Sequence, residues 1–276
     1  MRARRLPIVA LVGWLAACGS DDDAAGSDGA ETTGSPSAGA TGSAPPPGPS
    51  ALGWESDYVD GSSLLGCEQS ADEMRDSGAA RLSFGDSTIY VGYEQIGDNQ
   101  NPVVARVDGS EQLWCRKHET EPPDGRALGI TWDGGDAAYV VYTIVGGGSG
   151  LDQAASGGFV PSYAPGSISG GGPKVSFVGR VDTNDGELSA GTFIIAVKSD
   201  NKVNTHNPAG AVIVREDGTV EFRGSSAHKP IDVDLKAMDC TDYPFDSRYV
   251  LSPDLSEAIC ADCTNCTAQR PCPDSD

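Results

Sequence analysis

The residues with the clearest capacity for chemistry are the cysteines near the C-terminus. Four of them follow the spacing C-x2-C-x2-C-x5-C: Cys260, Cys263, Cys266 and Cys272. Thiolates at C-x2-C spacing can bind zinc or an iron–sulfur cluster from a single turn of chain. In an exported protein the same residues are oxidised to disulfides, because thiols are not kept reduced outside the cytosol.

We therefore predict structural disulfides and no metal ion. The candidate cysteines are Cys67, Cys115, Cys240, Cys260, Cys263, Cys266 and Cys272. Their connectivity cannot be read from the sequence, and an odd number leaves one thiol over, capped, or paired between molecules. A redox or metal-handling protein that uses the Cys-rich tail is an alternative interpretation.

No arrangement of residues in the sequence indicates a catalytic site. The three histidines, His118, His206 and His228, share no local spacing, and the G-x-S-x-G, H-E-x-x-H, P-loop and dinucleotide-binding motifs are absent. Carboxylates are too numerous in this chain for one pair to be nominated as a glycosidase pair. We predict no catalytic residues and favour a non-enzymatic protein, with an exported hydrolase or lyase that uses an acidic or Ca²⁺-assisted site as the alternative.

Two acidic segments, residues 132–136 and 182–187, could offer carboxylates to calcium. In the second, glycine is the fifth residue, whereas the EF-hand loop requires glycine at the sixth. Turns between strands explain both segments better. We predict no cofactor, with calcium as the weaker possibility.

A glycine-rich insertion at residues 146–172 is the candidate binding loop. It contains ten glycines together with the aromatic residues Phe159 and Tyr163. A long loop with isolated aromatic side chains can contact a partner, so these two residues are candidate binding residues. The alternative is that the insertion is tolerated length without a role of its own.

The charge of the chain excludes one class of partner. There are 40 acidic residues against 19 Lys and Arg, a formal net charge of −21. Such a surface repels phosphate backbones, so we predict no nucleic-acid binding.

The first 18 residues have the pattern of an export signal. Arg2, Arg4 and Arg5 precede an apolar stretch at residues 6–17, which is too short to span a bilayer. It ends in Leu15-Ala16-Ala17-Cys18, which resembles the lipobox of bacterial lipoproteins. The alternative is an ordinary secretory leader with a chance cysteine.

The resemblance implies cleavage before Cys18 and lipidation of that residue, which anchors the protein to a membrane of the cell envelope. Several acyl chains on one residue give stable attachment, since each buried CH₂ contributes about 0.8 kcal/mol. Gly19 is not the Asp that usually signals inner-membrane retention, so outer-membrane delivery is expected.

The remaining sequence divides by composition into a linker, a folded domain and a tail. Residues 19–50 contain no Ile, Leu, Val or aromatic residue and no Lys or Arg, so they can form no core. We predict a signal peptide at 1–17, the lipidated Cys18 with a disordered linker to residue 50, an all-β domain at 51–259 and the Cys-rich tail at 260–276.

Short segments rich in β-branched and aromatic residues predict an all-β domain. They are residues 88–91, 103–107, 138–145, 174–178, 192–197 and 211–214. Gly-Asp and Asp-Gly pairs between them predict tight turns. One helical turn is predicted, at residues 70–76.

Parts of the domain recur along the chain. The segment V-A-R-V-D at 104–108 returns as V-G-R-V-D at 178–182, and the Gly-Asp turn with its strand at 85–91 returns at 135–141. These patterns resemble the blade repeats of bacterial β-propellers of the SBBP and delta-60 type. The resemblance implies a small propeller-like domain of four-stranded blades, although the 74-residue spacing departs from a clean period, an excess that the 146–172 insertion explains. An antiparallel β-sandwich is the alternative.

These observations favour a membrane-anchored binding or scaffold protein. Its partner is an unidentified protein or glycan, and the sequence does not say which.

Overall fold

The computed structural model describes residues 56–120, 124–145, 149–162, 174–199 and 202–273, and it confirms the all-β class. Strand β1 (Ser56–Tyr58) and helix α1 (Ala71–Asp76) come first in the described chain. They precede a four-stranded antiparallel sheet whose strands follow one another in chain order: β2 (Ala80–Phe84), β3 (Ser87–Ile96), β4 (Asn99–Asp108) and β5 (Glu111–Lys117).

The second sheet repeats this arrangement and adds β1 at its edge. Its order is β1-β6-β7-β8-β9, and helix α2 (Ser149–Ala155) lies in the connection between β7 and β8. The strands are β6 (Asp124–Trp132), β7 (Ala137–Val145), β8 (Lys174–Asp182) and β9 (Leu188–Ile194).

The rest of the described chain forms shorter strands around a third antiparallel sheet. Its order is β12-β14-β17-β18, with β13 paired to β14. The remaining strands form a three-stranded sheet of order β11-β10-β15 and a two-stranded sheet of β16 and β19. The strands are β10 (Ala196–Val197), β11 (Val203–Asn204), β12 (Asn207–Pro208), β13 (Ile213–Val214), β14 (Val220–Ser226), β15 (Lys229–Pro230), β16 (Asp239–Cys240), β17 (Phe245–Leu251), β18 (Ala258–Cys263) and β19 (Cys266–Thr267).

The sequence repeat corresponds to a structural repeat. Arg106 lies on β4 and Arg180 on β8, which are the third strands of two successive four-stranded meanders. Their pairing is equivalent as well, since Arg106 lies opposite Ile89 and Arg180 opposite Tyr139, each two residues into the second strand. The recurring segments therefore mark equivalent places in two sheets.

The core is built from the residues that predicted the strands. β7 is buried along eight of its nine residues because β6 and β8 flank it and both of its faces are covered. Aromatic rings fill the space beside it: Phe177 packs edge-on against Tyr142 and Phe193, with ring centroids 5.6 and 5.0 Å apart. Buried tyrosine hydroxyls are satisfied, as where Tyr249 donates to the Ile231 carbonyl at 2.7 Å.

Helix α1 confirms the predicted helical turn. Ser70 is its N-cap: the Ser70 hydroxyl accepts from the Glu73 backbone N–H, and the Glu73 carboxylate accepts from the Ser70 N–H. This reciprocal capping satisfies two groups that the helix leaves unpaired. Among the described residues, no helix is long and apolar enough to cross a membrane.

The first residues of the Cys-rich tail are part of the third sheet, and β19 within the tail pairs with β16 in a separate two-stranded sheet. The sequence-based boundary at residue 260 falls inside β18, which pairs with β17 through Val250 opposite Cys260 and Ser247 opposite Cys263. Arg248 of β17 also holds the Asp262 carboxylate at 2.7 Å. Composition suggested a separate tail because cysteines replace the β-branched residues there, but Ala258, Cys260 and Ala261 are buried.

A close approach of two glycines joins the end of α2 to β9. A Cβ at Gly158 would lie 2.0 Å from the carbonyl oxygen of Gly191, whereas a Cβ at the neighbouring Gly157 would meet nothing within 4 Å. We expect Gly158→Ala to lower the free energy of unfolding by about 1–3 kcal/mol, because backbone must move to admit the methyl group. Gly157→Ala is the matched control and should change it little. Equal denaturant midpoints for the two variants would contradict this packing.

Candidate functional site

A polar cleft of about 680 Å³ is the main candidate site. Its walls come from four places in the chain: the end of β5, helix α2, the start of β9 with the turn before it, and the loop after β17. The polar side chains that line it are Arg116, Lys117, Gln153, Ser156, Glu187, Ser189, Asp254 and Ser256. The cleft therefore presents hydrogen-bond donors and acceptors together.

The two cations of the cleft are paired with carboxylates. The Arg116 Nε lies 3.0 Å from Glu187 Oε1, a contact that links β5 to the turn before β9. The Lys117 Nζ lies 2.5 Å from Glu94 Oε2 on β3, which is separated from β5 by β4 in the sheet. Both pairs are partly exposed, so each contributes little to stability but fixes where charge is presented.

His118 lies against the cleft, yet both of its ring nitrogens are engaged. Nε2 is 2.8 Å from the Gly186 carbonyl, which only accepts, so Nε2 carries the proton and Nδ1 accepts from the Tyr142 hydroxyl at 2.6 Å. Burial lowers the pKa of His118 to about 4, against the opposing effect of the Gly186 hydrogen bond. The imidazole is therefore neutral near pH 7 and acts as a structural bridge between β5, β7 and the 182–187 turn.

A buried carboxylate fixes α2 to the end of β5. Glu119 is 2% exposed, and its Oε2 accepts from the backbone N–H groups of Gly150 and Leu151 at 3.0 and 3.1 Å. A carboxylate at this position satisfies N–H groups that the first turn of a helix leaves unpaired. Burial raises the pKa of Asp152, and the negative charge of Glu119 adds to this effect.

Asp254 supplies an ionised carboxylate on the fourth side of the cleft. Its Oδ1 accepts from the hydroxyls of Ser252 at 2.6 Å and Ser256 at 2.8 Å. These hydrogen bonds, that of Ser252 first, hold the pKa of Asp254 below its ordinary value. The cleft thus contains a fixed negative group as well as the cations Arg116 and Lys117.

A second histidine resembles a catalytic base but is sealed from solvent. His206 Nε2 lies 2.8 Å from the Ser247 hydroxyl and Nδ1 lies 3.2 Å from that of Ser176, distances at which a base can activate a nucleophile. His206 is 0% exposed, and Ser247 is 3% exposed. Burial lowers the pKa of His206 to about 3, so this neutral ring ties β8, β12 and β17 together and meets no substrate.

The predicted binding loop is used for packing where the structure describes it. Phe159 is buried against Tyr249, with ring centroids 6.4 Å apart, and its N–H donates to the Leu255 carbonyl at 2.9 Å. Its aromatic ring is therefore occupied in the core and is not offered to a partner. Tyr163 and the lipidation candidate Cys18 lie outside the described residues.

The carboxylates of the two possible calcium segments turn towards their own backbone. Asp182 Oδ1 accepts from the Asn184 N–H at 2.7 Å, and Asp185 Oδ1 from the Glu187 N–H at 2.9 Å. Asp133 Oδ1 accepts from the Gly135 N–H at 2.8 Å. Gly186, at φ +79°, supplies the left-handed residue of the first turn, which supports the interpretation of these segments as turns.

The cysteines lie in pairs, as the disulfide prediction requires. Cys67 pairs with Cys115 and Cys260 with Cys272, with Cα atoms 5.5 and 5.0 Å apart. The sulfur atoms of the other three, Cys240, Cys263 and Cys266, lie within 4.8 Å of one another. Cys266 is within bonding reach of both of the others. The odd thiol predicted from the count of seven therefore belongs to this group.

The residues of the cleft were missed at the level of sequence. Arg116, Gln153, Glu187 and Asp254 are separated by 34 to 67 residues in turn, and no local motif connects them. The one available signal was the odd placement of two cations, Arg116 and Lys117, side by side in an acidic chain. Comparison with protein-family models, with curated proteins and with solved structures finds no match to this chain.

Proposed function

We propose that the protein is a lipid-anchored component of the cell envelope, in the outer membrane, whose β-domain binds a partner and catalyses no reaction. The observation that carries the binding role is the polar cleft, whose walls are held by Glu119, His118 and the Arg116–Glu187 pair. A site whose polar groups are preorganised loses little conformational entropy when it binds a ligand. Non-enzymatic binding is favoured because His118 has both nitrogens engaged and the His206–Ser247 pair is sealed.

A glycan fits the lining of the cleft better than a flat protein surface does. Sugar hydroxyls both donate and accept, and the cleft offers serine hydroxyls, the Gln153 amide, cations and carboxylates within one concave surface. A site of this kind recognises its ligand by a few placed polar groups. The partner class that follows is a neutral or weakly charged oligosaccharide of the cell envelope.

Binding to an array of bacterial envelope oligosaccharides tests this role. We expect Arg116→Ala and Gln153→Ala each to weaken binding by about ten-fold, since a lost polar contact is worth about 1–1.5 kcal/mol. Arg81→Ala, which changes an exposed arginine on β2, is the matched control and should bind as the wild type does. A wild-type protein that binds no oligosaccharide, or variants that bind unchanged, would contradict the proposal.

The anchor is supported by the lipobox pattern at residues 15–18. We expect Cys18→Ala to abolish incorporation of labelled palmitate and to release the protein from membranes, because the acyl chains supply the attachment. Fractionation in high salt is the measurement, and it separates lipid attachment from charge-driven adsorption. A Cys18→Ala protein that still sediments with membranes would refute the anchor.

The propeller-like arrangement of the sheets is also a proposal. It is supported by the consecutive meanders β2–β5 and β6–β9 and by the equivalent positions of Arg106 and Arg180 within them. A crystal structure of the domain would show the sheets radiating around a common axis, or packed face to face as in a sandwich.

A further inference from the structure

The inference concerns the group formed by Cys240, Cys263 and Cys266. Their three sulfur atoms all lie within 4.8 Å of one another, and this is the one such group of three or more Cys, His, Asp or Glu ligand atoms in the part of the chain that the structure describes. Cys266 pairs with Cys240 and also with Cys263. A sulfur atom forms a single disulfide, so one partner of Cys266 is always a thiol.

The backbone holds all three residues in place. Cys240 on β16 lies directly opposite Cys266 on β19, and Cys263 ends β18 three residues before Cys266. The turn between them is fixed because the Asn265 carbonyl accepts from the Thr241 N–H at 3.0 Å and from the Thr241 hydroxyl at 3.3 Å. Cys240 therefore cannot move away from Cys266 without opening this ladder, and Cys263 is held by its pairing with Ser247 of β17.

We propose that Cys240, Cys263 and Cys266 form an intramolecular thiol–disulfide exchange unit in which Cys266 bonds alternately to Cys240 and Cys263. The Cys263 thiol loses its proton, and the thiolate attacks the Cys266 sulfur of the Cys240–Cys266 disulfide. The Cys263–Cys266 bond forms as the Cys240–Cys266 bond breaks, and the Cys240 sulfur leaves with the electron pair and takes up a proton. One disulfide and one thiol exist before and after the step, so no external oxidant or reductant is needed.

The two states differ in what they present to solvent. With Cys240–Cys266 bonded, the thiol lies on Cys263, which is half-buried; with Cys263–Cys266 bonded, it lies on Cys240, which is buried at 9% exposure. The exchange therefore displays or withdraws a reactive thiol. We expect the first state to predominate, because the β16–β19 pairing places Cys240 directly opposite Cys266.

A metal site is the competing use of the same atoms. Three thiolates supply three ligands, whereas a structural zinc site takes four. The described residues bring no fourth Cys, His, Asp or Glu ligand atom into the group. The exchange unit accounts for the three sulfurs without a further ligand, so it is the assignment that we make.

Thiol mapping of the full chain tests the proposal. Protein recovered from the envelope in detergent, without reductant, is quenched in acid, unfolded and labelled with N-ethylmaleimide, and the labelled peptides are identified by mass spectrometry. We expect one label per chain, divided between Cys263 as the major site and Cys240 as the minor one. Prolonged labelling of the native protein should then place nearly all of the label on Cys263 and reduce the fraction on Cys240 at least ten-fold.

Two matched serine variants separate exchange from a fixed disulfide. Because Cys266 can bond either partner, Cys240→Ser and Cys263→Ser should each show no free thiol. Two labels in either variant, or a label on one cysteine alone in the wild type, would overturn the proposal, since Cys266 would then have a single partner. Three labels with stoichiometric zinc would show a metal site, and no label with a covalent dimer would show an intermolecular bond; either result overturns it as well.

Discussion

Acidification from pH 7 to pH 5 is expected to lower the free energy of unfolding by on the order of 4 kcal/mol, through two buried histidines alone. His118 and His206 have pKa values lowered to about 4 and about 3, in each case mainly by burial. In the unfolded chain both titrate near 6.5. Between these values the unfolded state binds two protons that the folded state does not, so stability is complete above pH 6.5 and is lost as the pH falls.

The measurement is the free energy of unfolding by denaturant across pH 5 to 6.5, where the histidines of the unfolded chain titrate. Each buried histidine should contribute a slope that approaches about 1.4 kcal/mol per pH unit. His118→Gln and His206→Gln should each remove about one proton from the slope, whatever they do to the stability itself.

Phe222→Leu serves as the control for the histidine variants. Its ring lies 5.8 Å from that of His206, so the substitution disturbs the same part of the core without removing a titrating group. We expect it to lower stability equally at every pH in this range. A wild-type stability that is flat between pH 5 and 6.5 would show that the two histidines are not buried in their neutral form.

Removal of the Cys67–Cys115 disulfide is expected to cost about 4 kcal/mol by the chain-entropy relation, since the bond closes a span of 48 residues. The bond joins the segment before α1 to β5 across a small separate core. That core contains Leu65, Met74, Tyr90 and Val103, with Cys67 and Cys115 packed against it. Without the bond, the segment at residues 63–79 is held to the sheet chiefly by Leu65 and Met74 and by the pairing of Leu64 with Tyr93.

The double variant Cys67→Ala/Cys115→Ala tests this disulfide without reducing the others. We expect a lower denaturant midpoint and faster hydrogen exchange in residues 63–79 than in β7. Addition of a reductant to the wild type is a poorer test, because it also opens the bonds near the C-terminus. A double variant within 1 kcal/mol of the wild type would show that the small core suffices by itself.

The strands of this protein were predictable because each is marked by the β-propensity of its own short segment. β-branched runs such as 138–145 became β7, and the V-x-R-x-D segments at 104–108 and 178–182 became equivalent strands. Turn residues were predictable for the same reason, since Gly109 and Gly186 have the positive φ that Asp-Gly turns require. The helical turn predicted at residues 70–76 is α1, which begins with a Ser70–Glu73 capping box.

Features that depend on contacts between distant segments were not predictable. The insertion at 146–172 looked like a loop because of its glycines, but Leu151 and Ala155 place α2 on the core and Phe159 is buried with them. The roles of His118 and His206 depend on partners 24 to 68 residues away. The cleft likewise has no local pattern, since its side chains meet only when three sheets are in place.

The position of β18 at the end of the chain has a consequence for biosynthesis. β17 lacks its outer neighbour until residues 258–263 have emerged, and both disulfide groups of this region need cysteines from 260 onward. A polypeptide cut short before residue 258 would leave β17 as an exposed strand edge carrying Tyr249 and Leu251, which is a template for aggregation. Incomplete products of translation are therefore expected to be insoluble.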